Sequence, residues 1–340
     1  MKLLKKIEAL FAAATLMVGV AFPLSVAADT QTESNNITVY VTVSDAGVFV
    51  ADKNGEYVVR DEITLSGQDN YTLIDVMTKL HEDYYVEGAS GFGYSDDYGS
   101  GNLVNKLWGE DTSLVGFYVN DKMAWSLDDA VEDGADIDFF IYDDSGNYES
   151  YTYFNKKSMT VNAGDKVELN LYHYEYDENY NAIVAPVSGA DLYINGEAVD
   201  VEATTDDNGY VSITTSNPGV YIYSAVKYNE DGSTAITAPY CVVKVVGKQS
   251  FNVSKLKKTY KASALKKKKK TFKLEADAAT SVTFKKISGS KKLSINKKGK
   301  VTVKKNTKAG KYKMTISATA AASDIYNKTT IKKQVVVTVK

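Results

Sequence analysis

Short runs in which apolar residues occupy every second position recur along most of this chain. Near the C-terminus they extend from Tyr312 to Ala318 and from Val335 to Val339, with Lys, Thr, Ser or Val between. A period of two is the pattern of a β-strand that buries one face. Turn dipeptides such as Asn195-Gly196 and Lys298-Gly299 separate the runs. The pattern predicts a mainly β, multidomain chain and excludes a mainly helical one.

One segment breaks the strand pattern and predicts a single amphipathic helix. Its apolar residues follow the spacing of one helical face, at Leu73, Val76, Met77, Leu80 and Tyr84. Thr72 is the predicted N-cap, with Asp75 three residues on in an approximate capping box. His81 follows an apolar position, and we expect it on the polar flank of the helix. Before the helix, the alternation from Asn36 to Val43 predicts a half-buried strand, so this region is α+β.

Charge divides the 340 residues into regions, although the formal net charge is only −3. Residues 29–150 contain 26 acidic and five basic residues, and residues 151–247 contain 13 and five. Residues 248–340 contain 27 lysines and three acidic residues. The length predicts two or three domains, and we place their boundaries at these shifts. Opposite charge at the two ends favours different partners, or mutual attraction between the ends.

The first 28 residues have the pattern of an export signal. Lys2, Lys5 and Lys6 precede an apolar run from Ala9 to Val20, and Val26-Ala27-Ala28 supplies small residues for cleavage. An uncleaved anchor is the alternative. Past this segment, no stretch is long and apolar enough to cross a bilayer. We therefore expect a secreted protein, associated with the cell surface, whose single cysteine fits a bacterial export route without disulfides.

Three short motifs in the acidic region resemble one bacterial family. They are Thr72-Leu-Ile-Asp-Val-Met77, Phe117-Tyr-Val-Asn-Asp121 and Glu132-Asp-Gly-Ala-Asp-Ile137. Together they resemble a domain-of-unknown-function family that is similar to the C-terminal domain of transcobalamin, over residues 36–145. The resemblance implies an α+β domain that holds a small ligand, and a corrinoid is the ligand of the vertebrate relative. The sequence departs from the family pattern at Val115 and Phe139.

The acidic region also contains aromatic residues that are candidates for a ligand site. A long loop at 88–102, rich in Gly and Ser, carries two of them. The candidate ligand-binding residues are Tyr94, Tyr98, Trp108, Phe117 and Trp125, with Asp96 and Asp97 at the rim. Aromatic walls with polar edges suit a small planar or glycan ligand. The alternative is that Trp108, Phe117 and Trp125 are ordinary core residues.

Residues 151–247 predict a β-sandwich of short strands. Asn195-Gly196, Asp206-Asp-Asn-Gly209 and Pro218-Gly219 mark turns between alternating runs. The order of these runs and turns resembles bacterial Ig-like and prealbumin-like modules of surface proteins, which implies a spacer. Asp206 to Asn208 lack the spacing of a calcium loop, so we interpret them as a hairpin turn. Cys241 is predicted to be a buried thiol in a strand.

The basic region, 248–340, resembles a Lys-rich Ig-like repeat of clostridial-type Gram-positive secreted proteins. The resemblance lies in Thr259 to Phe272, Gly299 to Val303 and Gly310 to Met314. Its positive charge predicts binding to an anionic cell-wall polymer, with Lys266, Lys267, Lys268, Lys269 and Lys270 as candidate contacts. Nucleic acid is the second candidate partner, but we do not expect it, because the aromatic residues fall at core positions. Simple solubility is the remaining alternative.

No catalytic motif or cofactor is evident in the sequence, so we expect neither an enzyme nor a metal site. It contains no G-x-S-x-G, H-E-x-x-H, P-loop or G-x-G-x-x-G. Adjacent carboxylates at Asp96/Asp97, Asp128/Asp129 and Asp143/Asp144 leave a glycan-acting enzyme as one hypothesis. The leading hypothesis is a non-catalytic surface protein that binds a ligand at one end and the wall at the other. A structural or adhesive protein without a small ligand is the alternative.

Overall fold

A computed structural model describes residues 36–96, 99, 101–143, 149–176, 178–179, 182–199 and 203–340. The predicted export segment 1–28, Tyr98, Asp97 and Asp144 lie outside the described residues. The chain forms two compact units. The first consists of residues 1–159, 166–213 and 220–243, and the second of residues 160–165, 214–219 and 244–340.

The acidic part of the first unit is α+β. Its strands are β1 (Ile37–Asp45), β2 (Val48–Phe49), β3 (Asp61–Leu65), β4 (Gly93–Ser95), β5 (Leu103–Leu107), β6 (Glu110–Asp111), β7 (Val115–Val119), β8 (Lys122–Met123) and β9 (Asp136–Ile141). The main sheet has the order β2-β1-β9-β7-β8, with β3 also paired to β1. Strands β1 and β9 are parallel, and β4-β5-β6 form a second small sheet.

Helix α1 (Leu73–Tyr84) covers one face of the main sheet, and a 3₁₀ turn (Gly88–Gly91) follows it. Thr72 is the N-cap as predicted. The backbone N–H and hydroxyl of Thr72 donate hydrogen bonds to the Asp75 carboxylate at 2.9 and 3.0 Å. The placement of His81 on the polar flank is wrong, because its side chain is fully buried. It lies where the helix meets the 88–108 region, whose aromatic residues complete its surroundings.

The predicted strand forms as β1, but the expectation that one of its faces is exposed fails from Thr42 onward, where both faces are covered. Val39, Val41 and Val43 pack in the core beneath α1. Thr42 and Ser44, on the opposite face, are also buried. Residues that follow in the chain supply the second layer, which explains why polar side chains there lose contact with water.

Residues 149–248 form the β-region that follows. Its strands are β10 (Thr152–Phe154), β11 (Ser158–Asn162), β12 (Lys166–Tyr176), β13 (Ala182–Pro186), β14 (Asp191–Ile194), β15 (Glu197–Ala198), β16 (Tyr210–Thr214), β17 (Gly219–Val226) and β18 (Cys241–Lys248). Strands β10-β12-β13 form one sheet to which β16 is added, and β17-β14-β15 are neighbours in another. Asn195 and Gly196 both have positive φ in the β14–β15 hairpin, as a two-residue turn requires. Cys241 is buried, as predicted.

The second unit contains a basic β-sandwich. Its remaining elements are β19 (Asn252–Ser254), β20 (Lys257–Tyr260), α2 (Ala262–Lys267), β21 (Lys270–Lys273), β22 (Glu275–Asp277), β23 (Val282–Gly289), β24 (Leu293–Ile295), β25 (Lys300–Val303), β26 (Gly310–Ala320), β27 (Tyr326–Asn327) and β28 (Thr329–Val339). The sheet β20-β28-β26-β23 packs against the sheet β21-β25-β24 through a core that includes Val301, Ile316 and Val337. The predicted fold class, mainly β with several domains and one amphipathic helix near the N-terminus, is confirmed.

Candidate binding surfaces

An aromatic cluster surrounds the end of helix α1. His81 Nδ1 lies 2.7 Å from the Met77 carbonyl oxygen, and Nε2 lies 3.2 Å from the backbone nitrogen of Trp108. The Trp108 N–H must donate, so Nε2 accepts and the imidazole proton is on Nδ1. Burial lowers the pKa of His81 to about 4. The neutral ring packs against Phe92 and Trp108, with centroid distances of 5.3 and 5.0 Å.

The structure brings two of the five predicted ligand residues into this cluster. Tyr94 contacts Phe92 at a centroid distance of 5.7 Å and is 43% exposed. Trp108 is half-buried, and its indole Nε1 donates to the Ala51 carbonyl at 2.9 Å. Phe117 instead stacks on Phe139 at 5.4 Å inside the core. Trp125 is 80% exposed on a different segment.

Hydrogen bonds join the loop that follows Tyr94 to the segment that carries Trp125. The backbone N–H and side-chain amide of Asn102 donate to the Asp128 carboxylate at 3.0 and 2.9 Å. These bonds and one from Ser126 lower the pKa of Asp128. The Trp125 N–H donates to Asp129 Oδ2 at 2.9 Å. Asp128 and Asp129 therefore hold the backbone in place rather than face each other as a catalytic pair.

A buried charge cluster lies on the second face of the main sheet. Lys157 Nζ is 2.7 Å from Asp121 Oδ1 and 3.1 Å from Asp138 Oδ2. The Tyr151 hydroxyl reaches the same two oxygens, at 2.8 and 2.5 Å. Asp121 has a positive φ of 61° in the β7–β8 turn. Although burial opposes its charge, the two carboxylates raise the pKa of Lys157, so it is an ammonium ion.

Tyrosine rings extend from this cluster and account for part of the high tyrosine content. Tyr151 stacks on Tyr118 at a centroid distance of 3.7 Å, with the planes 10° apart. It also lies beside Tyr153, which is 6.1 Å from Tyr172 and 5.8 Å from Tyr174. These contacts join strands β7, β10 and β12, so the aromatic residues at this position link the α+β part to the β-region.

The predicted wall-binding lysines form an exposed corner of the basic sandwich. Leu265 anchors helix α2 because its side chain is fully buried. Lys266, Lys267, Lys268 and Lys269 are exposed, and Lys270 is half-buried at the start of β21. Of the three acidic residues of 248–340, only Glu275 forms a recorded ion pair, with Lys255. Most of this positive charge is therefore uncompensated within the described part of the unit.

A cleft of about 400 Å³ lies beside the same strand. Its lining residues are Thr271, Phe272, Lys273, Asn296, Lys298 and Lys300. Asn296 shapes one end, because its Oδ1 accepts the backbone N–H groups of Lys298 and Lys300 at 3.1 and 2.9 Å. Gly299 completes this turn with a φ of +78°, and an added Cβ there would lie 3.0 Å from Phe284. The turn sets lysines at the edge of a concave surface.

Within the described residues, no group of three metal-ligating side chains comes together. In the same part of the chain, no helix is long and apolar enough to cross a membrane. The Asp206–Asn208 segment forms the predicted turn, in which Asp206 Oδ1 accepts the backbone N–H groups of Asn208 and Tyr210 at 2.8 and 2.9 Å. His173 lies 3.2 Å from Glu175.

No protein-family model matches the chain, and no curated protein matches it in sequence. A fragment of human CDH23 (EC21-23) is similar in structure, at 11% identity and a TM-score of 0.34, over 56% of this chain and 70% of that one. Protocadherin gamma B7 extracellular cadherin domains 1–4 are similar in structure at 10% identity and a TM-score of 0.31, over 62% of this chain and 54% of that one. Fibronectin(III)-like modules of Clostridium thermocellum CbhA are similar at 15% identity and a TM-score of 0.21, over 56% of this chain and 94% of that one. At these scores the similarities carry no functional inference, and the fold class rests on the sheets themselves.

Sequence reasoning missed the buried charge cluster and the buried histidine. Asp121 and Asp138 look like surface carboxylates in an acidic region, and Lys157 lies in a separate predicted domain. A usable signal was the high apolar content of β9, in which Phe139, Phe140 and Ile141 are consecutive. Such a run indicates a strand covered on both faces, and a carboxylate within it then needs a cation.

Proposed function

We propose that this chain is an exported, non-catalytic surface protein that attaches to an anionic cell-wall polymer through its lysine-rich second unit. The observation that carries the proposal is the 27 lysines against three acidic residues in 248–340. They surround a sandwich with a hydrophobic core that includes Leu265, Val301 and Val337. Folding does not require such an excess of positive charge, since surface lysines contribute little to stability. A polyanion supplies the missing counter-charge.

The proposal predicts binding that weakens steeply with salt. Lysines that neutralise a polyanion release its bound counterions, so log K falls linearly with log [salt]. The full mature chain is mixed with purified cell walls, and the bound fraction is measured between low and high salt. Loss of binding over this range supports the proposal. Salt-independent binding, or none at low salt, contradicts it. Walls stripped of their anionic polymer are the matched control.

The acidic domain is proposed to hold a small planar or glycan ligand at its exposed aromatic residues. Tyr94 and Trp125 are 43% and 80% exposed, so both rings are open to contact with a ligand, and aromatic side chains contribute large apolar contact areas. Trp108 supports Tyr94 through Phe92 and His81 rather than reaching outward itself. Phe117 has a core role, because it is 7% exposed.

Calorimetric titration of the full chain distinguishes the ligand classes. A corrinoid and short neutral oligosaccharides are titrated separately into wild-type protein, Trp125→Ala and Tyr94→Ala. Binding that either variant weakens by about tenfold or more supports a ligand site at these residues. Absence of heat with every ligand at millimolar concentration favours the structural or adhesive alternative for the acidic domain. The wall-binding proposal is unaffected by that outcome.

A further inference from the structure

The outer face of the three-stranded sheet β21-β25-β24 combines hydroxyl groups and lysines in adjacent rows. Thr271 pairs with Thr302, and Thr302 pairs with Ser294 on the next strand. The adjoining pair is Lys273 and Lys300. Paired residues project from the same side of a sheet, so these five side chains share the face opposite the buried Val301 and Val303.

We infer that this face is a binding site for the phosphate groups of a phosphodiester polymer, an inference that rests on the proposed function. The cleft of about 400 Å³ includes Thr271, Lys273 and Lys300 of this face and adds Lys298 from the Asn296–Lys300 turn. Strands lie about 4.8 Å apart, so three hydroxyl donors follow one another at that spacing. Each phosphate in contact thus meets neutral donors from one row and an ammonium ion from the other.

The cations of this sandwich are of a type that commonly binds phosphate. The only arginine of the chain is Arg60, in the acidic domain, so every cationic side chain of residues 248–340 is a lysine. Arginine binds carboxylates and phosphates through a planar fork, whereas lysine acts as a point charge and is a common phosphate ligand. Thr271, Lys273, Lys298 and Lys300 are exposed, and Thr302 is half-buried, so the donors are within reach of a polymer.

The face is less suited to nucleic acid, because its aromatic neighbour packs against the core. Phe272 pairs with the buried Val301 and is half-buried against the core, so it borders the cleft without presenting an open ring face on which a base could stack. Binding of single strands relies on exposed rings on which bases stack. A linear polymer with phosphate groups and no bases therefore suits this face, because its phosphates can bind the hydroxyl groups and lysines and it needs no exposed ring for stacking.

Two variants with the same loss of charge test the location of the site. The first is Lys273→Gln, Lys298→Gln and Lys300→Gln in the full chain. The control is Lys311→Gln, Lys313→Gln and Lys332→Gln, three exposed lysines on the opposite sheet β20-β28-β26-β23. Binding to linear inorganic polyphosphate, to poly-glutamate and to single-stranded DNA is measured at several salt concentrations.

We expect the first variant to bind polyphosphate at least about tenfold more weakly and to reduce the salt slope by about 2. The control is expected to lose about threefold or less, because it removes only long-range attraction. Equal losses in both variants would overturn the site while leaving the proposed function standing. Failure of the wild type to bind any polyanion would refute the proposed function itself.

A second variant separates phosphate recognition from charge. Thr271→Val and Thr302→Val keep the β-branched shape that suits a strand and remove two hydroxyl donors. We expect polyphosphate affinity to fall by about fivefold and poly-glutamate affinity to fall by less, because the proposal places phosphates, not carboxylates, along the hydroxyl row. Equal affinity of the wild type for both polymers, or a preference for DNA over polyphosphate, would overturn the assignment to a phosphodiester polymer.

Discussion

Lys157 Nζ lies 3.1 Å from Asp138 Oδ2, and this contact joins the β-region to the sheet of the acidic domain. The two side chains are only 13% and 12% exposed. Asp121 and Tyr151 complete the cluster, in which Lys157 and the Tyr151 hydroxyl both contact Asp138 Oδ2, while Asp138 Oδ1 is buried without a hydrogen-bond partner. A buried charge of this kind costs free energy when it is unpaired. The acidic domain and the part of the β-region that belongs to the first unit are therefore expected to fold and unfold together.

The first prediction is that Lys157→Met destabilises the first unit by about 3 kcal/mol, because the buried Asp138 and the partly buried Asp121 lose their cation. Both tryptophans of the chain lie in this unit, so their fluorescence during urea unfolding reports on it alone. The adjacent Lys156 is exposed, and Lys156→Met is expected to change the free energy of unfolding by less than about 0.5 kcal/mol. Similar values for the two variants would show that the cluster contributes little.

The second prediction concerns the buried His81. Burial lowers its pKa from 6.5 to about 4 in the folded chain. Between these values the unfolded chain binds a proton that the folded chain does not, so the His81 contribution to stability falls as pH decreases from 6.5 to 4. The expected loss is about 3 kcal/mol. Protonation at Nε2 would also remove the acceptor for the Trp108 N–H.

Comparison of two histidine variants measures this effect. The chain has only two histidines, and His173 is half-buried beside Glu175. We expect His81→Gln to flatten the decline in the free energy of unfolding between pH 6.5 and 4, while His173→Gln retains it. A decline that persists unchanged in His81→Gln would contradict the prediction.

The third prediction concerns Asp61, whose contribution to stability changes with pH in the opposite direction to that of His81. Burial raises the pKa of its carboxyl group from 3.8 to about 7, although the Val59 N–H donates to it at 3.1 Å. Between pH 4 and 7 the folded chain binds the extra proton, so the stability contributed by Asp61 rises as pH falls. Above pH 7 the folded chain bears the full cost of a buried carboxylate.

Asp61→Asn is therefore expected to raise the free energy of unfolding at pH 8 by about 2–4 kcal/mol and to change it little at pH 4. The amide oxygen can still accept the Val59 N–H. Glu62→Gln is the control, since Glu62 is exposed on the next position of β3. An increase of the same size in both variants would indicate a general charge effect in this acidic domain rather than burial of Asp61.

Periodicity in the sequence predicted the parts of the fold in which each residue depends mainly on near neighbours. The apolar spacing from Leu73 to Tyr84 and the Thr72 cap predicted α1, and Asn195-Gly196 predicted a hairpin. Burial of His81 and of Thr42 was not predictable in this way. Both depend on elements far away in the chain, the Phe92–Trp108 region and the β-region after residue 149. Amphipathic patterns show which face of an element is apolar, but not whether a later segment covers its polar face.

The candidate site residues also differ in how well the sequence predicts their exposure. Composition alone predicted exposed lysines at 266–269, because so much charge cannot be buried. The exposure of the aromatic residues was harder to predict, because an aromatic ring suits a hydrophobic core and a ligand site equally well. Phe117 stacks in the core and Trp125 is exposed, and nothing in the local sequence distinguishes them.

The fourth prediction uses this difference between the aromatic residues. Phe117→Ala is expected to destabilise the first unit by about 3–4 kcal/mol, because it leaves a cavity beside Phe139. Trp125→Phe is expected to change the free energy of unfolding by less than about 0.5 kcal/mol.

In the wild type, iodide should quench the red-shifted emission of Trp125 and leave that of the half-buried Trp108 largely protected. Trp125→Phe should remove most of the quenchable signal, whereas Trp108→Phe should retain it. Failure of iodide to quench Trp108→Phe would place the indole of Trp125 under cover and remove the basis for a ligand contact there.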